Sequence, residues 1–362
     1  MSERLIRVGI THGDINGIGY EVILKTLDDT RILEMCTPVV YGSAKIAAFY
    51  RKTLGMQPVQ LTQTADAADA RDGAVNIINV VGEDCKVEPG QETATAGEAA
   101  RAALERAVAD LREGHIDVLV TAPINKHNVH SAEFAFPGHT EYLEASLGCD
   151  DGSRALMVLC SDDMRVALVT THLPINQVPQ AITREAVLEK LRLFNRSLVR
   201  DFGVHAPRIA VLSLNPHAGE GGLLGTEEQE AISPAIENAR GAKILAFGPY
   251  AADGFFGSGL YHRFDGVLAM YHDQGLAPFK ALAMEAGVNF TAGLPYVRTS
   301  PDHGTGYDIA GKGEASEQSM RSAIFTAIDI YRNRLREDEA TAHPLRRQYF
   351  NKGNDNVVLD LS

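Results

Sequence analysis

The run Val166-Ala-Leu-Val-Thr-Thr-His172 decides the fold class of this chain, and two further runs repeat its plan. They are Ile209-Ala-Val-Leu-Ser-Leu-Asn-Pro-His217 and Gly266-Val-Leu-Ala-Met-Tyr-His272. Short runs rich in Val, Ile and Leu are typical of buried strands in a parallel sheet. Ligands of open α/β sheets bind just beyond the carboxyl ends of such strands. We therefore expect each run to bring a histidine to that edge of the sheet.

Three histidines at one sheet edge predict a metal site. Imidazoles from three loops can bind one divalent cation and leave other coordination positions open for a substrate. Nitrogen ligands favour zinc or cobalt, while a carboxylate ligand would also admit magnesium or manganese. The alternative is that His172, His217 and His272 separately cap or hydrogen-bond loop backbone.

Apolar runs alternate with helical patterns along the rest of the chain, which predicts an α/β fold. We expect strands at 5–10, 37–41, 75–81 and 116–120, and helices that begin at Tyr20 and span 95–112, 184–202 and 317–336. At 362 residues the chain is long enough for two domains. We expect the first to comprise residues 1–130 with 300–362, and the second, which carries the three histidines, to comprise 131–299. Residues 357–361 are expected to add an edge strand.

The composition excludes several classes of function. The formal net charge of −13 repels phosphodiester backbones, and no basic stripe with interleaved aromatics is present, so nucleic acid is not an expected partner. The apolar stretches have the length of strands, and the first residues lack a signal-peptide pattern, so we expect no membrane association. Four scattered cysteines without a CxxC pair fit a reducing cytoplasm.

The loop after the first predicted strand, Gly13-Asp-Ile-Asn-Gly-Ile-Gly19, invites a dinucleotide-binding interpretation. It does not fit G-x-G-x-x-G, because Val22 stands where the third glycine should be, and it lacks the Gly-Lys-Ser/Thr of a P-loop. The glycines permit close backbone approach, so the loop could still line a cleft. A plain tight turn is the alternative.

Two segments offer groups for an anion. Pro137-Gly-His139-Thr140 reads as a loop that enters a helix with Thr140 near the N-cap, where backbone amides favour negative charge. Lys126, which follows Thr121-Ala-Pro-Ile-Asn, could face the same kind of group. The alternatives are ordinary capping by Thr140 and a solvated lysine.

The segment from His272 to Lys280 adds further polar candidates close to a predicted metal ligand. Asp273 could bind the metal or orient a ligand, and Lys280 could hold a substrate anion or accept a proton. Asn289 and Arg298 follow soon after, and the planar guanidinium suits a carboxylate or phosphate. Each of these groups taken alone is also compatible with an ordinary surface position.

Two glycine-rich segments complete the set of candidate loops. Asn215-Pro-His217-Ala-Gly-Glu-Gly-Gly222 continues to Thr226 and suits a ligand approached by backbone. Asp302-His-Gly-Thr-Gly-Tyr-Asp308-Ile-Ala-Gly-Lys-Gly313 is compatible with a phosphate- or adenosine-binding loop and equally with a structural turn.

Taken together, these motifs resemble the 4-hydroxythreonine-4-phosphate dehydrogenase family of vitamin B6 biosynthesis over nearly the whole chain. The matching motifs are Gly17-Ile-Gly19, Thr121-Ala-Pro-Ile-Asn-Lys126, Gly138-His-Thr-Glu141, Thr171-His172, Asn215-Pro-His217-Ala-Gly-Glu-Gly-Gly222, Tyr271-His-Asp-Gln-Gly-Leu-Ala-Pro-Phe-Lys280 and Arg298-Thr-Ser-Pro-Asp-His-Gly-Thr305. The pieces His303-Gly-Thr305 and Asp308-Ile-Ala-Gly-Lys-Gly313 also look like the NAD loop of isopropylmalate and isocitrate dehydrogenases. The resemblance implies that fold: two α/β domains with a cleft between them.

The resemblance also implies roles for individual residues. One divalent metal (zinc, magnesium, manganese or cobalt) would be bound by His172, His217 and His272. Substrate would be contacted by His139, Thr140, Lys280, Asn289 and Arg298. NAD or NADP would be contacted by His303, Gly304, Thr305 and Asp308. The implied assembly is a homodimer with the active site at the subunit interface and one metal histidine supplied by the partner chain.

The implied activity is metal-dependent, NAD(P)-linked oxidation of 4-(phosphooxy)-threonine to a 2-amino-3-oxo acid phosphate. This product then decarboxylates to 3-amino-2-oxopropyl phosphate. Lys280 and Asp273 are the candidate proton acceptors. The first loop departs from the family pattern at His12, Ile15, Asn16 and Tyr20, which keeps oxidation of D-threonate or D-erythronate 4-phosphate open as an alternative. A metal-dependent aldolase or lyase, or a non-catalytic phosphometabolite sensor, are alternatives from other classes.

Overall fold

The computed structural model describes residues 4–57, 59–82, 84–130, 136, 138–148 and 155–343. The edge strand predicted at 357–361 lies outside these ranges. Among the described helices, none combines the length and the apolar character needed to cross a membrane.

Twelve strands form one sheet in the described part of the chain. Their order across the sheet is β3-β4-β2-β1-β5-β12-β11-β6-β7-β10-β8-β9. The strands are β1 (Ile6–Thr11), β2 (Cys36–Gly42), β3 (Leu61–Gln63), β4 (Val75–Asn79), β5 (Val118–Thr121), β6 (Leu156–Cys160), β7 (Arg165–Leu168), β8 (Arg208–Leu212), β9 (Leu245–Tyr250), β10 (Gly266–Ala269), β11 (Val288–Ala292) and β12 (Val297–Pro301).

Eleven α-helices alternate with these strands in the same described residues. They are α1 (Gly19–Asp28), α2 (Ala44–Thr53), α3 (Ala94–Arg112), α4 (Lys126–Val129), α5 (His139–Leu147), α6 (Val178–Ala181), α7 (Arg184–Arg200), α8 (Ser233–Gly241), α9 (Ala252–Gly257), α10 (His272–Ala283) and α11 (Gln318–Ala342). The predicted α/β class is thereby confirmed, and the predicted strands and long helices match the observed ones to within a few residues, except that α11 runs six residues further.

The sheet consists of two parallel blocks joined by antiparallel strands. Strands β3, β4, β2, β1, β5 and β12 are parallel to one another, as are β7, β10, β8 and β9. Between the blocks, β11 pairs antiparallel with β12 and β6, and β6 pairs antiparallel with β7. Hydrogen bonding is therefore continuous from β3 to β9, and the division into two domains stays a prediction.

The three histidine-terminated runs form three neighbouring parallel strands, as the sequence predicts. Strand β10 lies between β7 and β8, and the residues of all three are almost entirely buried. Because the strands point the same way, their carboxyl ends lie at one edge of the sheet. His172, His217 and His272 follow these ends.

Local sequence signals explain the helices that cover the sheet. The hydroxyl of Thr93 accepts a hydrogen bond from the backbone N–H of Ala96 and so caps α3, whose buried face is mostly alanine. Thr183 caps α7 in the same way through the N–H of Ala186. Small alanine side chains let α3 lie close to β1 and β2, and α11 packs on β12. These contacts support the strands that carry the candidate site.

Candidate active site

A cavity of about 320 Å³ lies where β5, β11 and β12 meet α5 and α10. It brings together nine of the candidate residues: His139, Thr140, His172, His272, Lys280, Asn289, Arg298, His303 and Gly304. Lys126, Glu141 and Asp302 also line it. His217, Asp273, Thr305 and Asp308 are not among its lining residues. Most of the predicted substrate groups therefore share one space within a single chain.

Arg298 forms the buried floor of this cavity. Its side chain is 2% exposed, and its guanidinium donates to the hydroxyls of Thr121 (Nε, 3.1 Å) and Thr291 (Nη1, 3.1 Å). Burial lowers the pKa of Arg298 to about 10, and the nearby carboxylate of Glu141 opposes that shift. The group therefore remains a cation near neutral pH, and among the described residues no carboxylate is hydrogen-bonded to it. A buried guanidinium held only by hydroxyls is suited to an anionic ligand.

His139 is the first residue of α5 and contributes an unpaired ring nitrogen to the cavity. Gly138 occupies the N-cap position, and Thr140, which is predicted near the N-cap, is the second residue of the helix. Burial lowers the pKa of His139 well below its usual range, and the positive charges of Arg298 and Lys126 add to that shift. Its Nε2 atom is buried and has no hydrogen-bond partner among the residues that the structure describes. A neutral imidazole with an unsatisfied nitrogen is a ready hydrogen-bonding group for a bound ligand.

Asn289 and Lys280 approach the cavity from β11 and α10. The Oδ1 atom of Asn289 is buried and accepts no hydrogen bond from the described part of the chain. Lys280 Nζ donates to the backbone carbonyl of Asp302 at 2.9 Å and lies 3.5 Å from the Asp302 carboxylate. These groups add one more cation and one more unsatisfied polar atom.

Two of the three predicted metal ligands lie beside each other at the mouth of the cavity. The rings of His172 and His272 have centroids 6.1 Å apart. His272 Nδ1 lies 2.7 Å from the carboxylate of Asp273, which leaves Nε2 as the nitrogen available to a cation. Partial burial lowers the pKa of His172, and the charge of Lys126 adds to this, so the neutral, metal-binding form is favoured. This donor pair fits a divalent metal, although two imidazoles do not complete a site.

His217 lies on a loop of unusual backbone geometry. His217, Ala218, Gly219, Glu220 and Gly221 all have positive φ angles, between 43° and 77°. The buried carboxylate of Glu228 holds the loop from below by accepting from the backbone N–H groups of Leu214 and Asn215, both at 2.8 Å. Side chains rarely adopt this left-handed conformation, and strain of this kind concentrates at functional sites. The loop is exposed, and Leu223 beside it is 79% exposed.

The segment predicted to bind NAD packs against the first loop of the chain. The carbonyl of Thr305 accepts from the N–H of Ile18 at 2.9 Å, and a Cβ added at Gly17 would lie 2.6 Å from that same oxygen. The Tyr307 hydroxyl donates to the buried Asp14 at 2.8 Å. His303 has a buried Nε2 without a partner, and burial lowers its pKa. The two loops are thus packed against each other, and His303 Nε2 is the group that could hydrogen-bond a ligand in the cavity.

A separate cluster of possible metal ligands, Asp66, Asp110 and His115, lies away from the cavity. Arg106 already supplies a cation there, because its guanidinium contacts Asp110 at 3.1 Å and Asp66 at 3.3 Å. We therefore assign no metal to this cluster.

Three cavity residues received no role from the sequence: Thr121, Glu141 and Asp302. Thr121 and Glu141 lie inside motifs that the sequence singles out, but no pattern indicates that their side chains contact Arg298 or approach His172. Asp302 is the first residue of the predicted cofactor segment, but the sequence gives its side chain no role of its own. The pairing of β12 with β5 brings Thr121 beside Arg298, and Glu141 approaches from α5.

Comparisons with known proteins agree with this site. The family model "Pyridoxal phosphate biosynthetic protein PdxA" matches residues 34–327. A 4-hydroxythreonine-4-phosphate dehydrogenase of Bacteroides thetaiotaomicron is 59% identical over 361 residues, which cover 100% of this chain and 98% of the relative. Among solved structures, the enzymes of that name from Klebsiella pneumoniae and Burkholderia phymatum have TM-scores of 0.78 and 0.73. Their identities are 35% and 39%, and the matches cover 90% and 91% of this chain and 99% of each structure. The chain therefore belongs to the pyridoxal phosphate biosynthetic protein PdxA family.

Proposed function

We propose that this protein is a 4-hydroxythreonine-4-phosphate dehydrogenase that uses NAD or NADP and one divalent metal. The observation that supports this most directly is that one cavity contains both the buried cation Arg298 and the neighbouring imidazoles of His172 and His272. The names of close relatives across their full length give the substrate class. The reaction is oxidation of the secondary hydroxyl, and the β-keto acid product then loses carbon dioxide.

The substrate's two anionic ends account for the cations in the cavity. Arg298, Lys280 and Lys126 would bind phosphate and carboxylate, while His139 and Asn289 would hydrogen-bond through their unsatisfied atoms. Binding energy from these remote groups orients the carbinol carbon for reaction. Because Arg298 is fixed by two threonine hydroxyls, it loses little side-chain freedom when the ligand binds.

The metal would be held by His172 and His272 of one chain and by His217 of its partner, and His303, Gly304, Thr305 and Asp308 would contact the dinucleotide. A bound divalent cation supplies Lewis-acid polarisation of the hydroxyl, and the nicotinamide is the hydride acceptor. His217 is absent from its own chain's cavity, and hydrophobic Leu223 and Ile175 are exposed near the histidine loops. A second copy of the chain would cover these side chains and complete the ligand set, so we propose a homodimer with shared sites.

The proposed two-domain division and cytoplasmic location are also compatible with this reaction. The cavity draws Thr121 and Pro301 from the first predicted domain, and His139 and His172 from the second. Cleft sites of this kind are common between domains. The described cysteines, Cys36, Cys85 and Cys160, are free thiols, as a reducing compartment would allow.

The test is a cofactor-reduction assay with the purified protein, NAD or NADP, and three phosphates: 4-(phosphooxy)-threonine, D-threonate 4-phosphate and D-erythronate 4-phosphate. We expect reduced cofactor with the first substrate, loss of activity after chelation, and recovery when zinc, cobalt, manganese or magnesium is returned. Turnover that is preferred with either of the other phosphates would move the assignment to that relative. Product formation without cofactor reduction would indicate a lyase instead.

A further inference from the structure

The cavity holds two carboxylates, Glu141 and Asp302, among the described residues that line it. These carboxylates would repel the phosphate and carboxylate of the proposed substrate unless their charge is paired with a cation. Glu141 lies 4.0 Å from His172 and acts electrostatically on Arg298. Asp302 has a different neighbour, because its largely buried carboxylate faces Lys280.

Asp302 holds Lys280 through two of its oxygens. The backbone carbonyl accepts from Lys280 Nζ at 2.9 Å, and the carboxylate lies 3.5 Å from the same nitrogen. Asp302 is itself fixed, because its N–H points to the carbonyl of Gly287 (3.1 Å) and to the hydroxyl of Ser319 (3.2 Å). Burial raises the pKa of the Asp302 carboxyl, and the charge of Lys280 opposes this shift.

Asp273, which the sequence suggests beside Lys280, has other surroundings. Its side chain is 84% exposed, its carboxylate contacts His272, and it does not line the cavity. Asp273 and Asp302 therefore have separate partners. Asp273 contacts the candidate metal ligand His272, and Asp302 contacts the candidate substrate-binding residue Lys280.

We propose that Asp302 is a positioning residue that fixes the Lys280 ammonium toward the anionic substrate. The inference that Lys280 faces a substrate rests on the proposed function. The contact between Asp302 and Lys280 does not depend on it. Lys280 is thereby held as a hydrogen-bond donor and cation in the resting site. The Lys280 side chain extends from α10, and its contact with Asp302, just after β12, fixes the position of the ammonium group.

The variant that isolates the carboxylate is Asp302→Asn. It keeps the side-chain size and the backbone carbonyl that accepts from Lys280, and it removes only the negative charge. We expect kcat to fall about tenfold or more with KM changed less than threefold, because Lys280 remains present but is less well aimed. Asp302→Glu, which keeps the carboxylate, should recover part of the lost kcat.

A second readout does not need metal, cofactor or turnover. Lys280 in the ligand-free protein can be modified with trinitrobenzenesulfonate, and its rate of modification followed by peptide mass spectrometry. We expect Asp302→Asn to increase that rate several-fold and Asp302→Glu to leave it near the wild-type value. Lys25, which pairs with Glu21 at 2.8 Å in another part of the chain, serves as the internal reference.

Asp162→Asn is the matched control, since that carboxylate is exposed at the turn between β6 and β7 and does not line this cavity. It should match the wild-type protein in both readouts.

An Asp302→Asn protein whose Lys280 reacts at the wild-type rate overturns the proposal, whatever its activity. If the wild-type protein turns over none of the three phosphates, the proposed function fails, while the modification rates still decide whether Asp302 fixes Lys280. Thermal melting of each variant guards against unfolding, and Asp302→Ala, which also removes the carboxylate and keeps the backbone carbonyl, carries the comparison if Asp302→Asn does not fold.

Discussion

His12 lies in the first loop, and its fully buried imidazole stacks on the ring of Tyr20. Its ring centroid is 5.3 Å from that of Tyr20, which in turn stacks on Tyr50 at 5.7 Å. Burial lowers the pKa of His12 to about 4. The ring is therefore neutral at physiological pH, and it supports the loop on which the candidate cofactor segment rests.

This burial predicts a specific loss of stability in mild acid. The unfolded His12 has a pKa near 6.5, so as the pH falls from 7 the unfolded chain takes up a proton that the folded chain excludes. At pH 5 this single group should reduce the free energy of unfolding by about 2 kcal/mol relative to pH 7, and the loss is complete below about pH 4. Urea unfolding at both pH values measures it.

The variant His12→Phe keeps an aromatic ring against Tyr20 and cannot titrate. It should lose about 2 kcal/mol less than the wild-type protein between pH 7 and pH 5. His205→Phe, at an exposed position, is the control and should keep the wild-type slope. If His12→Phe is as acid-sensitive as the wild-type protein, His12 is not the neutral buried group described above.

The loop of residues 216–222 is the element with the clearest link between backbone strain and the candidate metal site. A Cβ added at Gly219 would lie 2.6 Å from Glu228 Oε2, the carboxylate that holds the loop. A Cβ added at Gly221 would meet nothing within 4 Å. Both glycines have positive φ angles, +77° and +69°, so the two positions differ mainly in the available space.

These two glycines give a matched pair of substitutions. Gly221→Ala should cost about 1 kcal/mol of stability, because it imposes the left-handed conformation on an L side chain. Gly219→Ala should cost more, because its Cβ would also lie 2.6 Å from Glu228 Oε2. Only Gly219→Ala should displace His217, and we expect it to lower zinc affinity about tenfold or more in a chelator competition assay. Equal zinc affinity in the two variants would show that the Gly219–Glu228 contact does not position His217.

The sequence predicts the strands of this region better than its loops. Buried apolar runs specify β7, β8 and β10 and the histidines that follow them, because strand burial depends on a short local pattern. Glycine content permits the left-handed run but does not specify it, since His217 and Glu220 also adopt it. The position of His217 outside the cavity of its own chain was therefore not predictable from the loop composition.

At the scale of the whole molecule, the cavity depends on pairings between segments that are distant in the sequence. Strand β12 lies beside β5, which brings Arg298 to Thr121 across 177 positions of sequence, and β11 brings Asn289 alongside. Candidate residues such as Arg298 and Asn289 could be identified from motifs, but their partners could not, because no local pattern encodes this sheet order. The antiparallel connection through β11 and β6 was likewise not predicted.

The proposed metal site combines His172 and His272 of one chain with His217 of a second copy. Mixing two inactive variants tests this shared site most directly. His172→Ala and His217→Ala homodimers should each be inactive when assayed with metal and cofactor. After the two are unfolded together and refolded in equal amounts, half of the dimers are mixed, and each mixed dimer has one intact site, so activity should return to about a quarter of the wild-type value. Refolded wild-type protein and each variant refolded alone are the controls. No recovery in the mixture, with normal dimers present, would contradict the shared metal site.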